Sequence, residues 1–100
     1  MTAQHMVALA KANTVRLEAA EVRRELAVGA ITLGDALHDE RAAVMTVERL
    51  LAAQRRWSPL RAQRLLGPMH ISTARRVRDL TDRQRGALLQ LAANPKETTA

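Results

Sequence analysis

One short stretch of this sequence is crowded with arginines that could bind a polyanion. Residues 71–89 read ISTARRVRDLTDRQRGALL, and they place five arginines within eleven positions: Arg75, Arg76, Arg78, Arg83 and Arg85. A guanidinium group presents a planar fork of donors that matches phosphate oxygens and also stacks on bases. Two further arginines, Arg61 and Arg64, follow Ser58 shortly before this stretch. These side chains are either a solvated helix face or a phosphate-binding surface.

The distribution of charge favours the second interpretation. Residues 1–50 carry six bases and seven acids, whereas residues 51–100 carry ten bases and three acids, so the net charges are −1 and +7. A basic charge confined to one half of a chain is typical of a face that binds a polyanion. Arginine accounts for fourteen of the sixteen basic residues. A GC-rich genome explains most of that ratio, but not the asymmetry.

The composition excludes several classes of protein and of site. The chain of 100 residues has no cysteine, Phe or Tyr, so disulfides, cysteine-ligated zinc and an aromatic platform for single strands are excluded. The three histidines, His5, His38 and His70, are scattered, and no second ligand stands at metal spacing. No nucleophile, base and orienting group converge in the sequence. We therefore predict a non-enzymatic, cytoplasmic protein with no cofactor, no metal and no membrane-spanning segment.

The elements that must position the arginines are all helical. Residues 3–28 predict one long helix, with an inward stripe of Val15, Ala19, Val22 and Leu26, and Gly29 stops it. Cap residues then predict a series of short helices that begin at Thr32, Thr46, Ser58-Pro59, Ser72 and the Thr81–Gln84 capping box.

Two of these predictions concern the arginines directly. The helix from Ser72, STARRVRD, would turn Arg75 and Arg78 outward beside Arg76, while Val77 and Leu80 point inward. The helix from Thr46 would run through Arg55 and Arg56 at its negative end. We expect Trp57 in the core or at a domain seam rather than as a wedge in DNA.

Three ordered motifs within this region resemble a known family. Leu60-Arg61-Ala62-Gln63, Ile71 through Arg78 with Leu80, and Asp82-Arg83-Gln84-Arg85 with Ala87-Leu88-Leu89 are similar to the core of the actinobacterial integration host factors. The resemblance runs from about Ile31 to Leu91. It implies an all-α protein with a long N-terminal helix followed by a compact helix-two-turns-helix DNA-binding domain. The corresponding boundaries are 1–29 for the helix, with its first residues frayed, 30–92 for the domain and 93–100 for a disordered tail.

The resemblance also implies a function, namely a nucleoid-associated protein that binds double-stranded DNA, bends or compacts it with low sequence specificity, and assists site-specific recombination. Carried over position by position, Arg75, Arg76 and Arg78 would contact phosphates and a groove edge, with Arg61 and Ser58 on a turn of the same domain. The charge pattern adds Arg64, Arg83 and Arg85 as candidate DNA-binding residues, although Asp82 could instead pair with Arg83 or Arg85. The chain departs from the family pattern where Ser58-Pro59 replaces a glycine-lysine pair, and where Asp79 and Thr81 replace glycines. Pro59 cannot donate a hydrogen bond, and Asp79 adds a negative charge beside the arginines.

Other interpretations stay open at the level of sequence. The same domain could bind RNA or the ribosome, which affinity for an A-form duplex would reveal. The N-terminal helix could pack on a protein partner such as a recombinase. A basic amphipathic surface could bind anionic lipid, although compact capped helices argue against it. We expect a monomer, and phosphate contact by five arginines would weaken binding about 500-fold between 50 and 200 mM salt.

Overall fold

A computed structural model of the protein describes residues 2–92, with side chains from Leu9 onward, and the regular elements in this part of the chain are all helices. The α-helices are α1 (Thr2–Ala27), α2 (Leu33–Leu37), α3 (Val47–Ala52), α4 (Pro59–Leu66) and α5 (Asp82–Ala92). Two 3-10 helices, η1 (Glu40–Ala42) and η2 (Val77–Asp79), lie between them. No helix in residues 2–92 is both long enough and apolar enough to cross a bilayer. The predicted disordered tail lies outside the described residues.

The long first helix is confirmed, and its C-terminal half is the part that packs on the domain. Val22 and Leu26 are buried and Ala19 is partly buried, as the stripe predicts. Val15 is 37% exposed, so the stripe reaches less far than predicted. The helix ends at Ala27, and Gly29, with a φ of +77°, closes a Schellman motif in which the Ala30 amide donates to the Glu25 carbonyl at 2.8 Å. Fraying of the first residues stays a prediction.

An ion-pair cluster ties α1 to the domain. Arg41 of η1 donates to Glu25 at 2.8 Å and to Asp39 at 2.7 Å, and it also lies 3.6 Å from Glu21. The Arg41 hydrogen bond lowers the pKa of Asp39 below its ordinary value, and the carboxylates raise the pKa of Arg41 further. The cluster thus links the C-terminal half of α1 to η1.

Four of the five helix caps predicted from sequence, all but the one at Ser72, are formed, and they set the beginnings of the short helices. Thr32 and Asp35 make a reciprocal capping box, as do Thr81 and Gln84. Thr46 and Ser58 each accept the third amide of their helix, and Pro59 occupies the first turn of α4. The short helices enclose one aliphatic core whose largest fully buried side chains are Leu37, Leu50, Leu51, Leu66, Leu88, Val22, Val47 and Val77.

The helix predicted to continue to Arg56 is shorter than expected, because α3 ends at Ala52. Gln54 turns back and its side-chain amide donates to the Leu51 carbonyl at 3.1 Å, which satisfies an acceptor at the helix end. Arg56 then adopts a left-handed φ of +69°, and the chain reverses into α4. Arg55 and Arg56 therefore do not form the last turn of that helix, and this prediction was wrong.

The helix predicted from Ser72 is also wrong. Ser72 caps a turn instead, in which its hydroxyl accepts the Ala74 amide at 3.1 Å. Beyond it, the extended Arg76 forms a β-bridge with Thr46, and η2 begins at Val77. Two helical turns are marginal by themselves, so pairing with a neighbouring segment decides the conformation. Val77 and Leu80 are nevertheless buried as predicted.

Candidate nucleic-acid interface

Main-chain hydrogen bonds clamp the basic segment Arg75–Arg78 to the segment that leads into α3. The Val47 amide donates to the Arg75 carbonyl at 2.8 Å, the Val77 amide to the Met45 carbonyl at 2.9 Å, and the Arg78 amide to the Ala43 carbonyl at 3.1 Å. Val77, 1% exposed, fills the core beneath them. The Arg75 and Arg76 side chains therefore extend from a fixed, non-helical backbone, and Arg78 extends from the short 3-10 helix η2, rather than from the α-helix predicted.

Arg76 lies in a groove between α1 and the domain. One of its guanidinium nitrogens donates to the Val44 carbonyl, which holds the side chain against the groove wall. Three other arginines line the same groove, Arg16 and Arg23 from α1 and Arg49 from α3, together with apolar Val15, Ala19, Val44 and Met45. No acid is among these lining residues. Four guanidinium groups around one groove repel one another, and an anion between them relieves that repulsion.

Arg75 and Arg78 occupy other parts of the surface. Arg75 is exposed and follows directly from the turn at Thr73-Ala74. Arg78 is also exposed, and it lines a second recess that includes His38, Asp39 and Glu40. The three neighbouring arginines therefore do not share one helix face. Arg76 contributes to the α1 groove, and Arg78 borders a mixed-charge recess.

The start of α4 brings a different set of side chains to the same side of the domain. The Ser58 hydroxyl is used as a cap, because it accepts the Arg61 amide at 3.2 Å. The Arg61 guanidinium stacks over the Trp57 ring, 4.1 Å from its centroid, and contacts the Arg56 carbonyl at 3.4 Å. Arg64 is exposed. Trp57 is partly buried against the core, as predicted.

A shallow groove connects α4 with the basic segment. It is lined by Pro59 of α4, by Thr73 and Ala74 of the turn, and by Thr46, Glu48, Arg49 and Ala52 of the α3 region. Arg49 lines both this groove and the one beside α1, so the two are neighbours. The one acid here, Glu48, accepts a hydrogen bond from the Gln63 amide at 3.1 Å.

The two arginines of α5 differ from each other. Arg83 is exposed. The Arg85 side chain is 19% exposed and turns back to donate to the Val77 carbonyl at 3.2 Å, with Asp82 at 3.3 Å. Arg85 thus supports the basic segment from beneath.

Sequence reasoning missed three arginines of this surface, Arg16, Arg23 and Arg49. The seven-residue spacing of Arg16 and Arg23 places them on one face of α1, which was a usable signal. Whether this face of α1 lies opposite Arg49 depends on how α1 packs on the domain. No pattern of neighbouring residues in the sequence indicates that packing. No cluster of three or more metal-ligating side chains forms among the described residues.

Comparison with known proteins shows the family to which the chain belongs. Residues 28–91 match the family of S13-like H2TH domains. Over 91 residues the chain is 37% identical to the integration host factors of Mycobacterium tuberculosis and Mycolicibacterium smegmatis, and each alignment covers 87% of both proteins. The structure is also similar to that of sIHF bound to an 8-base-pair palindromic DNA, with a TM-score of 0.74, 28% identity, and coverage of 80% of this chain and 94% of that one. The chain therefore belongs to the integration host factor family.

Proposed function

We propose that this protein is a nucleoid-associated architectural protein that binds duplex DNA, bends or compacts it, and supports site-specific recombination without catalysing a reaction itself. The observation that carries the proposal is the groove of four arginines beside the clamped basic segment. A relative with a similar fold is bound to DNA in its solved structure. Contacts to phosphates position a protein without reading bases, so low sequence preference follows.

The proposal assigns different roles to the predicted residues. The phosphate contacts come from Arg75, Arg76, Arg78, Arg64 and Arg83, and from Arg16, Arg23 and Arg49 of the α1 groove. Arg61 contributes charge from its position over Trp57. Ser58 and Arg85 hold other residues in place instead of contacting DNA. The Ser58 hydroxyl caps α4, and the Arg85 guanidinium donates a hydrogen bond to the Val77 carbonyl of the basic segment.

Fluorescence anisotropy with a labelled duplex of about 20 base pairs tests the proposal. Each arginine that neutralises a phosphate contributes about 0.9 to the slope of log affinity against log salt, so replacing Arg75, Arg76 and Arg78 by alanine should reduce the slope by about 2.7. The variant Arg49→Ala should reduce it by about 0.9. The control is Arg24→Ala, since Arg24 lines a different groove with Leu17 and Glu21.

Three outcomes would contradict parts of this function. An unchanged slope in the triple variant, with the helical circular dichroism intact, would remove the basic segment from the interface. Tighter binding to an A-form RNA duplex than to DNA would make RNA the ligand. Binding that persists in high salt and depends on the exposed Leu17 would indicate a protein partner instead.

The proposal includes the assembly state and a further partner. We expect the protein to bind DNA as a monomer, and a recombinase to contact the stretch of α1 from Leu9 to Leu17, where both of these side chains are exposed. Sedimentation velocity of the protein alone and with duplex tests the first point. A stable dimer without DNA would contradict it.

A further inference from the structure

From the tip of α4 we infer that Leu60 is an apolar wedge that inserts between two base pairs of bound duplex DNA from the minor groove. The inference rests on the proposed function, and it adds the contact by which the protein would kink DNA. It starts from an exposed side chain that the fold does not explain.

Leu60 is the exception in an otherwise strictly amphipathic helix. α4 buries Ala62, Leu65 and Leu66, and its outer face carries polar Gln63 and Arg64. Leu60 lies on this outer face and is 55% exposed. Within the domain, residues 30–92, all of which the structure describes, it is the one large aliphatic side chain that is exposed. More than half of the side chain remains in water, so a ligand that covers it would gain affinity from its burial.

The beginning of α4 is poorly suited to grip a phosphate through its backbone. A helix offers its first amides to an anion. Here Pro59 has no amide hydrogen, and the Arg61 amide is already bonded to the Ser58 hydroxyl. What this tip presents to a ligand is mainly the hydrocarbon of Pro59 and Leu60, both of which are exposed.

The surroundings of the tip indicate duplex DNA as the occupant. Pro59 adjoins the exposed turn at Thr73-Ala74, whose small side chains permit close approach. Positive side chains lie near the tip, with Arg61 and Arg64 on α4 and Arg49 in the adjoining groove, where Glu48 is bonded to Gln63. An apolar point bordered by phosphate-binding side chains is the arrangement by which minor-groove proteins unstack a base step and kink the duplex.

A wedge also gives the protein a sequence preference that phosphate contacts cannot supply. Pyrimidine–purine steps such as TA unstack most easily, so insertion at such a step costs least. The preferred sites should therefore contain a TA step at the position of Leu60, whatever the bases around it.

The test uses the full chain and a 20-base-pair duplex with 2-aminopurine beside a central TA step, and a second duplex with end-labelled donor and acceptor dyes. The wild-type protein should raise the 2-aminopurine fluorescence severalfold and shorten the distance between the dyes. Leu60→Ala and Leu60→Gln should abolish both signals and weaken binding about 5- to 30-fold, while the salt slope stays unchanged. The control is Val28→Ala, which alters a 79% exposed apolar residue at the end of α1 and should change nothing.

The outcomes separate this inference from the proposed function. If Leu60→Gln binds with wild-type affinity and retains the fluorescence rise, DNA binding stands and the wedge is refuted. If the wild-type protein binds with no fluorescence rise, the wedge is also refuted. If the wild-type protein does not bind duplex at low salt, both the function and the wedge fail. Circular dichroism checks that each variant keeps its fold, which is expected because each substitution is at an exposed position.

Discussion

Arg83 and Arg85 are two residues apart in one helix, yet the structure predicts opposite consequences for their replacement. The change to methionine keeps most of the aliphatic stem and removes the guanidinium. Arg85 is 19% exposed and donates to the Val77 carbonyl, which lies in the segment that carries the basic cluster. Arg83 is exposed and is proposed to contact DNA.

The contacts of Arg85 set the magnitude. Its pair with Asp82 contributes little, about 0–0.5 kcal/mol, because the Asp82 side chain is 99% exposed. A hydrogen bond from a charged donor contributes about 1.5–3 kcal/mol. The Arg85 Nε is buried without a hydrogen-bond partner, which offsets part of that gain. We therefore expect Arg85→Met to lower the free energy of unfolding by about 1–2 kcal/mol, or the Tm by about 5–15 °C.

Two measurements distinguish the roles of these residues. Thermal unfolding followed by circular dichroism should show a lower Tm for Arg85→Met and an unchanged Tm for Arg83→Met. Anisotropy in a salt series at low temperature should show the reverse, with the slope reduced by about 0.9 for Arg83→Met alone. A reduced slope with an unchanged Tm for Arg85→Met would refute the inward orientation of that side chain.

Three further predictions follow from single residues. Asp79→Asn removes an exposed negative charge beside the arginines, so DNA affinity at 100 mM salt should rise about 2- to 5-fold; equal affinity in anisotropy would mean that this charge lies away from the DNA. His70 has a φ of +57° at the end of the turns that follow α4, a conformation that glycine adopts without steric cost. His70→Gly should therefore leave the free energy of unfolding unchanged or raise it by up to about 1 kcal/mol. A clear fall in the urea midpoint would contradict that reasoning. The pKa of Asp39 is lowered by the hydrogen bond from Arg41, so this pair stabilises the folded protein above about pH 4, and the stabilisation is lost as the pH falls through the lower folded pKa. Arg41→Met should therefore make the free energy of unfolding less dependent on acid pH. An unchanged pH profile of urea unfolding would contradict the role of the ion-pair cluster.

The departures from the family pattern have separate physical consequences. Thr81, in place of a glycine, completes a capping box with Gln84 and so strengthens the start of α5. Pro59, in place of a lysine, removes a charge and an amide donor from the tip of α4. Thr81 therefore affects the stability of the fold, whereas Pro59 changes which groups of a ligand the tip of α4 can contact.

The candidate site was predicted unevenly. The exposed positions of Arg75, Arg78, Arg64 and Arg83 agree with the sequence-based expectation that they are surface residues. Arg85 pairs with Asp82, the alternative that the sequence left open, and it also donates to the Val77 carbonyl. A stripe of polar residues on a helix does not show which of them turns inward in this way. The helix expected over Ser72–Asp79 failed because its backbone groups pair with residues about 30 positions away in the chain.

The sequence by itself determined the features that depend on neighbours three or four residues apart. The caps at Thr32, Thr46, Ser58 and Thr81 and the Schellman end at Gly29 are local hydrogen bonds, so their residue types specify them wherever the helices pack. The tertiary structure decided where the arginines point. Arg76 meets Arg16, Arg23 and Arg49 because α1 packs through Val22 and Leu26, and because the backbone of Arg75–Arg78 pairs with residues 43–47. Those contacts join segments far apart in sequence, and only the packed core brings them together.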